Sequence, residues 1–320
     1  MLEQPWSTLV GMAGSLLVLL AGWDILRTTM GVEGGLMTRW VPRCLWQFIM
    51  RIWTHPIRER RQRMRMRHVG VLVVLSTLCC WILVLWAGWT LLLMAWVPLQ
   101  SSVLPEIVLS DYIAFAGSML FTLGLGQAYP DGHAAYLAAP LACLTGLFII
   151  TYGITWLTSM ISLGAARHLA ARQIASLGTS ITDMQELLSN PEQHPIGWSK
   201  LDAINTSIMS VDVQLENYPA GSYLASVTPE ESFPLQLVRL CRALDAAREQ
   251  TPLKLDGPRR RLLDGLRASI HSHGLRVGRR HQHLLQHLCR VSSDDTEAVQ
   301  RLMLHLDGWT WSDAQRAQTI

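Results

Sequence analysis

Three apolar stretches decide what this chain can become. About Trp6 to Trp23, about Val69 to Trp96 and about Ala134 to Leu163, the sequence is nearly free of charge. Each stretch approaches or exceeds the roughly 20 residues that a helix needs to cross the hydrocarbon core of a bilayer. Backbone in lipid has to satisfy its own hydrogen bonds, so such segments are helices. All three lie in the first half of a 320-residue chain with only 16% charged residues, against roughly 25% in an ordinary soluble protein. The expected fold class is an all-α membrane protein. Residues 1–6 hold Glu3 and no Lys or Arg, and Asp24 and Arg27 follow where a small-residue cleavage site would sit. The first stretch therefore reads as an uncleaved anchor and not as a secretory signal.

Charge gives these spans a direction. Between residues 25 and 68, ten arginines face only Glu33 and Glu59, with a dense run from Arg58 to Arg67. From Val97 to His133 there is no Lys or Arg, only Glu106, Asp111 and Asp131. The positive-inside rule puts the first loop in the cytoplasm and the second outside. The N-terminus is then external and the C-terminal half cytoplasmic, an arrangement that suits a bacterial inner membrane. Cys79, Cys80 and Cys143 fall in the spans, Cys44 in the basic loop, and Cys241 and Cys289 in the polar half. They read as reduced packing residues and not as a disulfide framework.

Inside the basic loop, residues 38–53 are amphipathic. Arg39, Arg43, Gln47 and Arg51 share one face, and Trp40, Val41, Cys44, Leu45, Phe48, Ile49, Ile52 and Trp53 the other. Pro42 suits the first turn of such a helix. It lies in the headgroup plane of the inner surface or packs, in the cytoplasm, on the C-terminal half. The Arg58–Arg67 run reads as an anchor for lipid headgroups, with no nucleic-acid partner expected.

Between the second and third spans, Pro98 and Pro105 precede the apolar run Ser110–Leu120. Ser110 or Asp111 suits its N-cap, and the run is too short and too apolar for a surface helix. A short helix dipping into the membrane has to end in backbone that is buried in protein or lines water. Its C-terminal dipole then favours a cation in the cavity behind. Directly after it comes Thr122-Leu123-Gly124-Leu125-Gly126. Two glycines one residue apart let this strip run extended with its carbonyls turned to one side. Rings of such carbonyls replace the water shell of a monovalent cation. Helix, strip and return make a re-entrant pore loop. In the third span, Thr151, Thr155, Thr158 and Ser162 recur on one face. That stripe suits the wall of a wet cavity, or its hydroxyls bond back to their own helix and mediate packing. Gly146 and Gly153 permit a bend or a close helix contact, and a bend at Gly146 is the expectation.

With these pieces in this order, the chain resembles the two-transmembrane, pore-loop potassium channel family over about residues 69 to 163. Thr122-Leu123-Gly124-Leu125-Gly126 matches the family's Thr-Val-Gly-Tyr-Gly, and Pro130 matches the proline four residues past the last filter glycine. Gly146 stands sixteen residues beyond Pro130, where the family commonly has its inner-helix hinge. The resemblance implies four copies around one pore, with the second span as outer helix and the third as inner helix. It makes Thr122, Leu123, Gly124, Leu125 and Gly126 the selectivity filter, Gln127 and Pro130 its outer mouth, and Gly146 the hinge. It turns Thr151, Thr155 and Thr158 towards the cavity. Phe121 departs from the family's second threonine, Leu125 from its tyrosine and Gln127 from its aspartate. The coordinating carbonyls survive these changes, but hydrogen bonds and charge that hold the filter's width do not. Gly22–Thr29 followed by Gly34-Gly35 looks like the end of an extra span in some bacterial channel-family proteins, and no separate chemistry is assigned to it.

The remaining residues, 164–320, carry seventeen Lys and Arg against seventeen Asp and Glu, so the net charge of +3 arises before them. Apolar residues recur at helical spacing, as in Leu237, Leu240, Cys241 and Leu244, or Val299, Leu302, Met303 and Leu306. Breaks fall near Pro191–Pro195, Tyr218–Pro229, Pro252–Pro258 and His273-Gly274, with a possible strand around Tyr223–Val227. Thr228 or Ser232 starts one helix and Asp256 with Pro258 the next. No Gly-x-Gly-x-x-Gly follows a strand, and no catalytic constellation is recognisable, so no enzyme is expected. His271, His273, His281, His283, His287 and Cys289 read as a solvated helix surface. His283 and His287 stand at metal-ligand spacing and are the weak alternative.

The domain reading is thus residues 1–27 as an N-terminal transmembrane helix, 28–68 as a basic cytoplasmic loop, 69–163 as a pore module and 164–320 as a helical cytoplasmic regulatory domain. The expected function is a homotetrameric cation channel without cofactor, holding a permeant potassium ion and admitting sodium to an extent set by Leu125 and Gln127. Its other partners are membrane lipid and an unidentified cytoplasmic regulator. The alternative is a non-conducting, membrane-tethered sensor or assembly protein that keeps a degenerate channel fold.

Overall fold

The computed structural model describes residues 4–29, 35–52, 60–100, 106–124, 129–130, 133–250, 257–280, 296–307 and 309. The apolar stretches form α1 (Gln4–Thr29), α3 (Arg60–Trp96) and α5 (His133–Ala175). Their runs long and apolar enough to cross a membrane are Trp6–Thr28, His68–Trp96 and Leu137–Ala175. Large apolar side chains such as Leu19, Leu83, Leu144 and Ile154 stay exposed on them, as lipid-facing residues do. The run in α5 has 39 residues, about 58 Å of helix against a hydrocarbon core of about 30 Å. A bilayer therefore covers only part of it.

The chain divides into two compact units. The first comprises Met1–Gln47 and Val73–Ser159. Here α1 crosses α3 where Gly14 meets the Gly88 carbonyl, a contact that any Cβ at residue 14 would obstruct. Small residues allow such close approaches between helices in lipid. Helix α3 also leans on α5, with the Leu78 side chain seated over Gly153 and Trp81 and Trp156 fully buried. Helix α2 spans Leu36–Ile52. It starts earlier than its periodicity suggests, so Pro42 lies in its second turn and not in its first. The reason is a cap from outside the segment: Asp24 Oδ1 accepts the Met37 N–H at 2.9 Å. Thr38, Pro42 and Trp46 form the buried side of α2, while Leu36, Trp40 and Cys44 are exposed. Past α3, the strands β1 (Leu99–Gln100) and β2 (Tyr129–Pro130) pair antiparallel, Leu99 opposite Pro130. Between them lies α4 (Leu109–Leu120).

The second unit comprises Phe48–Leu72 and Met160–Ile320. Its helices are α6 (Ile181–Ser189), α7 (Pro195–Asn217), α8 (Phe233–Gln250), α9 (Gly257–Arg280) and α10 (Thr296–Leu306). They enclose a core that includes Leu163, Ile174, Met184, Leu201, Ile208, Leu237, Leu240 and Leu266. Ser180 caps α6, with its Oγ accepting from Asp183 N–H and Asp183 Oδ2 accepting from Ser180 N–H. Ser232, not Thr228, precedes α8, and its Oγ accepts from Leu235 N–H. Asp256 lies outside the described residues. Two expectations fail in this unit. Residues 223–227 form no strand; a 3₁₀ turn, Pro219–Tyr223, leads into irregular chain. Helix α9 runs through His273-Gly274 without a break, because His273 is no surface residue. It is buried, bonded through Nδ1 to Asp212 Oδ1 at 3.2 Å and set edge-on against the Phe233 ring at 5.3 Å.

Candidate functional site

Helix α4 is held on both flanks. Its N–H groups start at Val108, whose N–H donates to Asp111 Oδ2 at 2.8 Å. Asp111 is therefore a first-turn carboxylate reaching back, not the N-cap, and Ser110 already lies within the helix. Phe115, Ala116, Gly117, Ser118 and Leu120 are buried. From α3, the Trp86 indole lies over Gly117 and donates to the Ile113 carbonyl at 2.9 Å. The Phe121 ring meets Trp86 edge-on at 6.0 Å. From α5, Gly146 packs directly on the Leu120 carbonyl, where a Cβ would collide. Trp89 Nε1 donates to Thr145 Oγ1 at 2.8 Å and ties α3 to α5 beside that contact. Trp86 stands ten residues before the end of α3, about 15 Å of helix, and Gly146 thirteen residues past the start of α5, about 20 Å.

The end of α4 departs from the expected extended strip. Thr122 N–H donates to the Met119 carbonyl and Leu123 N–H to the Ser118 carbonyl, at 3.2 and 2.8 Å. Those two bonds form a Schellman cap, which needs its C′ residue in the left-handed region. Thr122 occupies that position with φ of 56°, where glycine is the usual choice. A β-branched residue there costs roughly 1–2 kcal/mol. Gly124 is left-handed as well, at φ of 62°. The strip therefore begins as a helix cap, and its conformation is set by α4's orphan carbonyls. Thr122, Leu123 and Gly124 are all exposed. Leu125, Gly126 and Gln127 lie outside the described residues, and Pro130 is described only as the backbone partner of Leu99.

Helix α5 is continuous through Gly146 and Gly153. Thr151, Thr155 and Thr158 share an exposed face, and each hydroxyl donates to the carbonyl four residues earlier, at 2.9, 3.1 and 2.9 Å. The donors are consumed within the helix. The hydroxyl oxygens keep acceptor capacity towards the open side. Gly153, Trp156 and Met160 form a separate, buried side. Among the described residues no group of three or more His, Cys, Asp or Glu could hold a metal ion, and His283 and His287 lie outside them.

Three polar constellations escape sequence reading. In the first unit, Asp24 is 4% exposed within an apolar helix and accepts from Met37 N–H and from Trp81 Nε1, the latter at 2.8 Å. Helix α1 runs on past Trp23 to Thr29, so a carboxylate that the apolar pattern places beyond the span lies inside the helix. In the second unit, Arg167 is buried and donates to the Gly221 and Leu224 carbonyls at 2.8 and 2.7 Å. Its Nη2 stands 3.6 Å from Asp307 Oδ1. Asp307 also accepts from Ser226 N–H and Ser232 Oγ. Burial raises the Asp307 carboxyl to about 6 despite Arg167 and these hydrogen bonds. Also in this unit, Asp212 receives both His273 and Arg276. No local pattern announces the last two, because their partners lie about 50 to 140 residues apart in the chain.

Over 235 residues, covering 72% of this chain and 67% of the other, the sequence is 28% identical to the uncharacterized membrane protein YdjJ of Bacillus subtilis (strain 168). No family model matches the chain, and no solved structure matches it. That similarity and three helices of spanning length and apolarity identify a helical membrane protein.

Proposed function

We propose that the chain is one subunit of a homotetrameric cation channel that passes potassium through backbone carbonyls of residues 122–126. The observation that carries this reading is the seating of α4. Its C-terminus rests on α5 about 20 Å from that helix's start, beside α3 about 15 Å before its end, while the flanking chain pairs at β1–β2 just past the end of α3. A chain that leaves one end of a helix, reaches about 15–20 Å along its neighbours, roughly half of a hydrocarbon core of about 30 Å, and returns to that end has the course of a re-entrant loop. The α4 dipole then presents its negative end to the cavity. Residues 122–124 are exposed, and Gly124 has open space where a Cβ would stand. A strip uncovered by its own chain suits one completed by three other copies.

On this reading Gln127 and Pro130 stand at the outer mouth, and Thr151, Thr155 and Thr158 line the cavity. Residues 164–320 are a cytoplasmic regulatory domain, with the N-terminus outside a bacterial inner membrane. Gly146 supports α4 in the state described, and a bend there belongs to gating. The test is potassium against sodium flux in liposomes, with Gly124→Ala as control. Alanine at a left-handed position costs roughly 1–2 kcal/mol and is expected to abolish potassium flux. Flux unchanged by Gly124→Ala sinks the filter assignment.

A second reading, a non-conducting sensor that keeps the fold for assembly, draws on Phe121. Its ring packs on Trp86 and offers no hydroxyl to brace the strip. Wild-type protein that assembles but passes neither ion at any pH, voltage or calcium level would favour it.

A further inference from the structure

The Asp24 constellation is absorbed by neither reading of the pore. A carboxylate inside a membrane-spanning helix is costly to keep, and this one is held by every means its surroundings offer. Oδ1 accepts from Met37 N–H and Oδ2 from the Trp81 indole. The Gly35 backbone lies so close that a Cβ there would run into the carboxylate. Below it, Thr28 Oγ1 donates its single hydrogen to the Asp24 carbonyl at 2.8 Å and accepts from Gly35 N–H at 3.1 Å. In the 2.9 Å contact between Thr28 and Thr38, Thr38 is therefore the donor. Asp24, Thr28, Gly35 and Thr38 are all buried. The result is a bonded junction of α1 with the first turn of α2, from which the Asp24 carboxylate reaches out to Trp81 on α3.

Trp81 carries that bond onward. Its ring is fully buried and touches α5 twice, edge-on to Trp156 at 5.4 Å and tilted against Tyr152 at 5.6 Å. Those residues occupy the same two turns of α5 as Thr151 and Thr155, on a different face. An indole fixed at its nitrogen by Asp24 is held in one orientation against α5. We propose that Asp24 is a positioning residue, which sets the inner helix through Trp81 and makes the α1–α2 junction a controller of α5. The gating significance of that control rests on the channel reading; the control itself does not.

The chemistry calls for a carboxylate. Two N–H donors converge on two oxygens, and an ionised carboxylate is acceptor-only. Asparagine keeps the shape but turns an NH₂ group towards Met37 N–H or Trp81 Nε1. Trp81→Phe removes the same link from the other side and leaves α2 capped. Both variants go into a chain whose native cysteines are replaced and whose Thr155→Cys thiol reports α5. The readouts are the modification rate by a water-soluble thiol reagent, the melting temperature and potassium flux. Each variant is expected to change the modification rate of the folded protein by about threefold or more, and the double variant to do no more than Trp81→Phe alone. A merely structural Asp24 lowers the melting temperature and leaves the rate unchanged, which overturns the proposal, as do independent effects that add in the double variant. Should Asp24→Asn fail to fold, an unchanged rate in Trp81→Phe overturns it equally. Absence of flux in the wild-type protein rejects the channel reading alone, because the modification rates still decide whether Asp24 acts through Trp81.

Discussion

Asp307 shows how far one buried site can move a residue from its solution behaviour. Burial raises its carboxyl to about 6, and Arg167, Ser232 and Ser226 recover only part of that cost. A folded-state value above the unfolded one, near 3.9, means that the folded protein binds the proton more tightly. The associated stability is fully present below about pH 4 and is lost as pH rises through about 6. Glu231 works in the opposite sense. Its hydrogen bond from Arg172 holds the carboxyl below the usual range, so its stability is lost only at lower pH. Between pH 7.5 and 5, thermal melts are therefore expected to show a gain on acidification that Asp307→Asn removes. A gain that persists in the variant assigns it to another group.

At the scale of elements, length and apolarity made the three spans legible. Where elements begin was not legible where the cap comes from elsewhere. Helix α2 starts at Leu36 because Asp24, thirteen residues before Met37, accepts its N–H. The left-handed Thr122 was hidden for a related reason: the Schellman cap overrides the preference of a β-branched residue. His273-Gly274 reads as a break until Asp212 and Phe233 are seen to hold the histidine. The two faces of α2 make its two sequence readings testable. Its buried side, Thr38, Pro42 and Trp46, leaves Trp40 and Cys44 outward, a stripe suited to the acyl boundary. With the other cysteines replaced, a nitroxide on Cys44 is expected to collide with oxygen in preference to an aqueous nickel complex. The reverse preference would put α2 in water.

At the scale of the whole molecule, the boundary between the two units falls inside one helix. Helix α5 belongs to the first unit up to Ser159 and to the second from Met160. In the second unit its Leu163, Ala170, Ala171 and Ile174, with Leu177 two residues past its end, are 5% exposed or less and lie in the same core as α6, α7, α8 and α9. Burying a Leu or Ile side chain contributes about 1.5–3 kcal/mol, so the three large side chains contribute about 5–9 kcal/mol. A domain's entire stability is about 5–15 kcal/mol. Arg167 adds its clamp on the Gly221 and Leu224 carbonyls and on Asp307. Without the helix, an apolar wall of that core is open and the Asp307 carboxylate is left without its cation. A fragment of residues 160–320 is thus expected to melt cooperatively in solution, whereas residues 178–320 should show helical signal without a cooperative transition. Equal melting of the two fragments would mean that α5 only rests on the tail. Cooperative melting of the longer fragment alone makes the end of α5 a core element of the second unit.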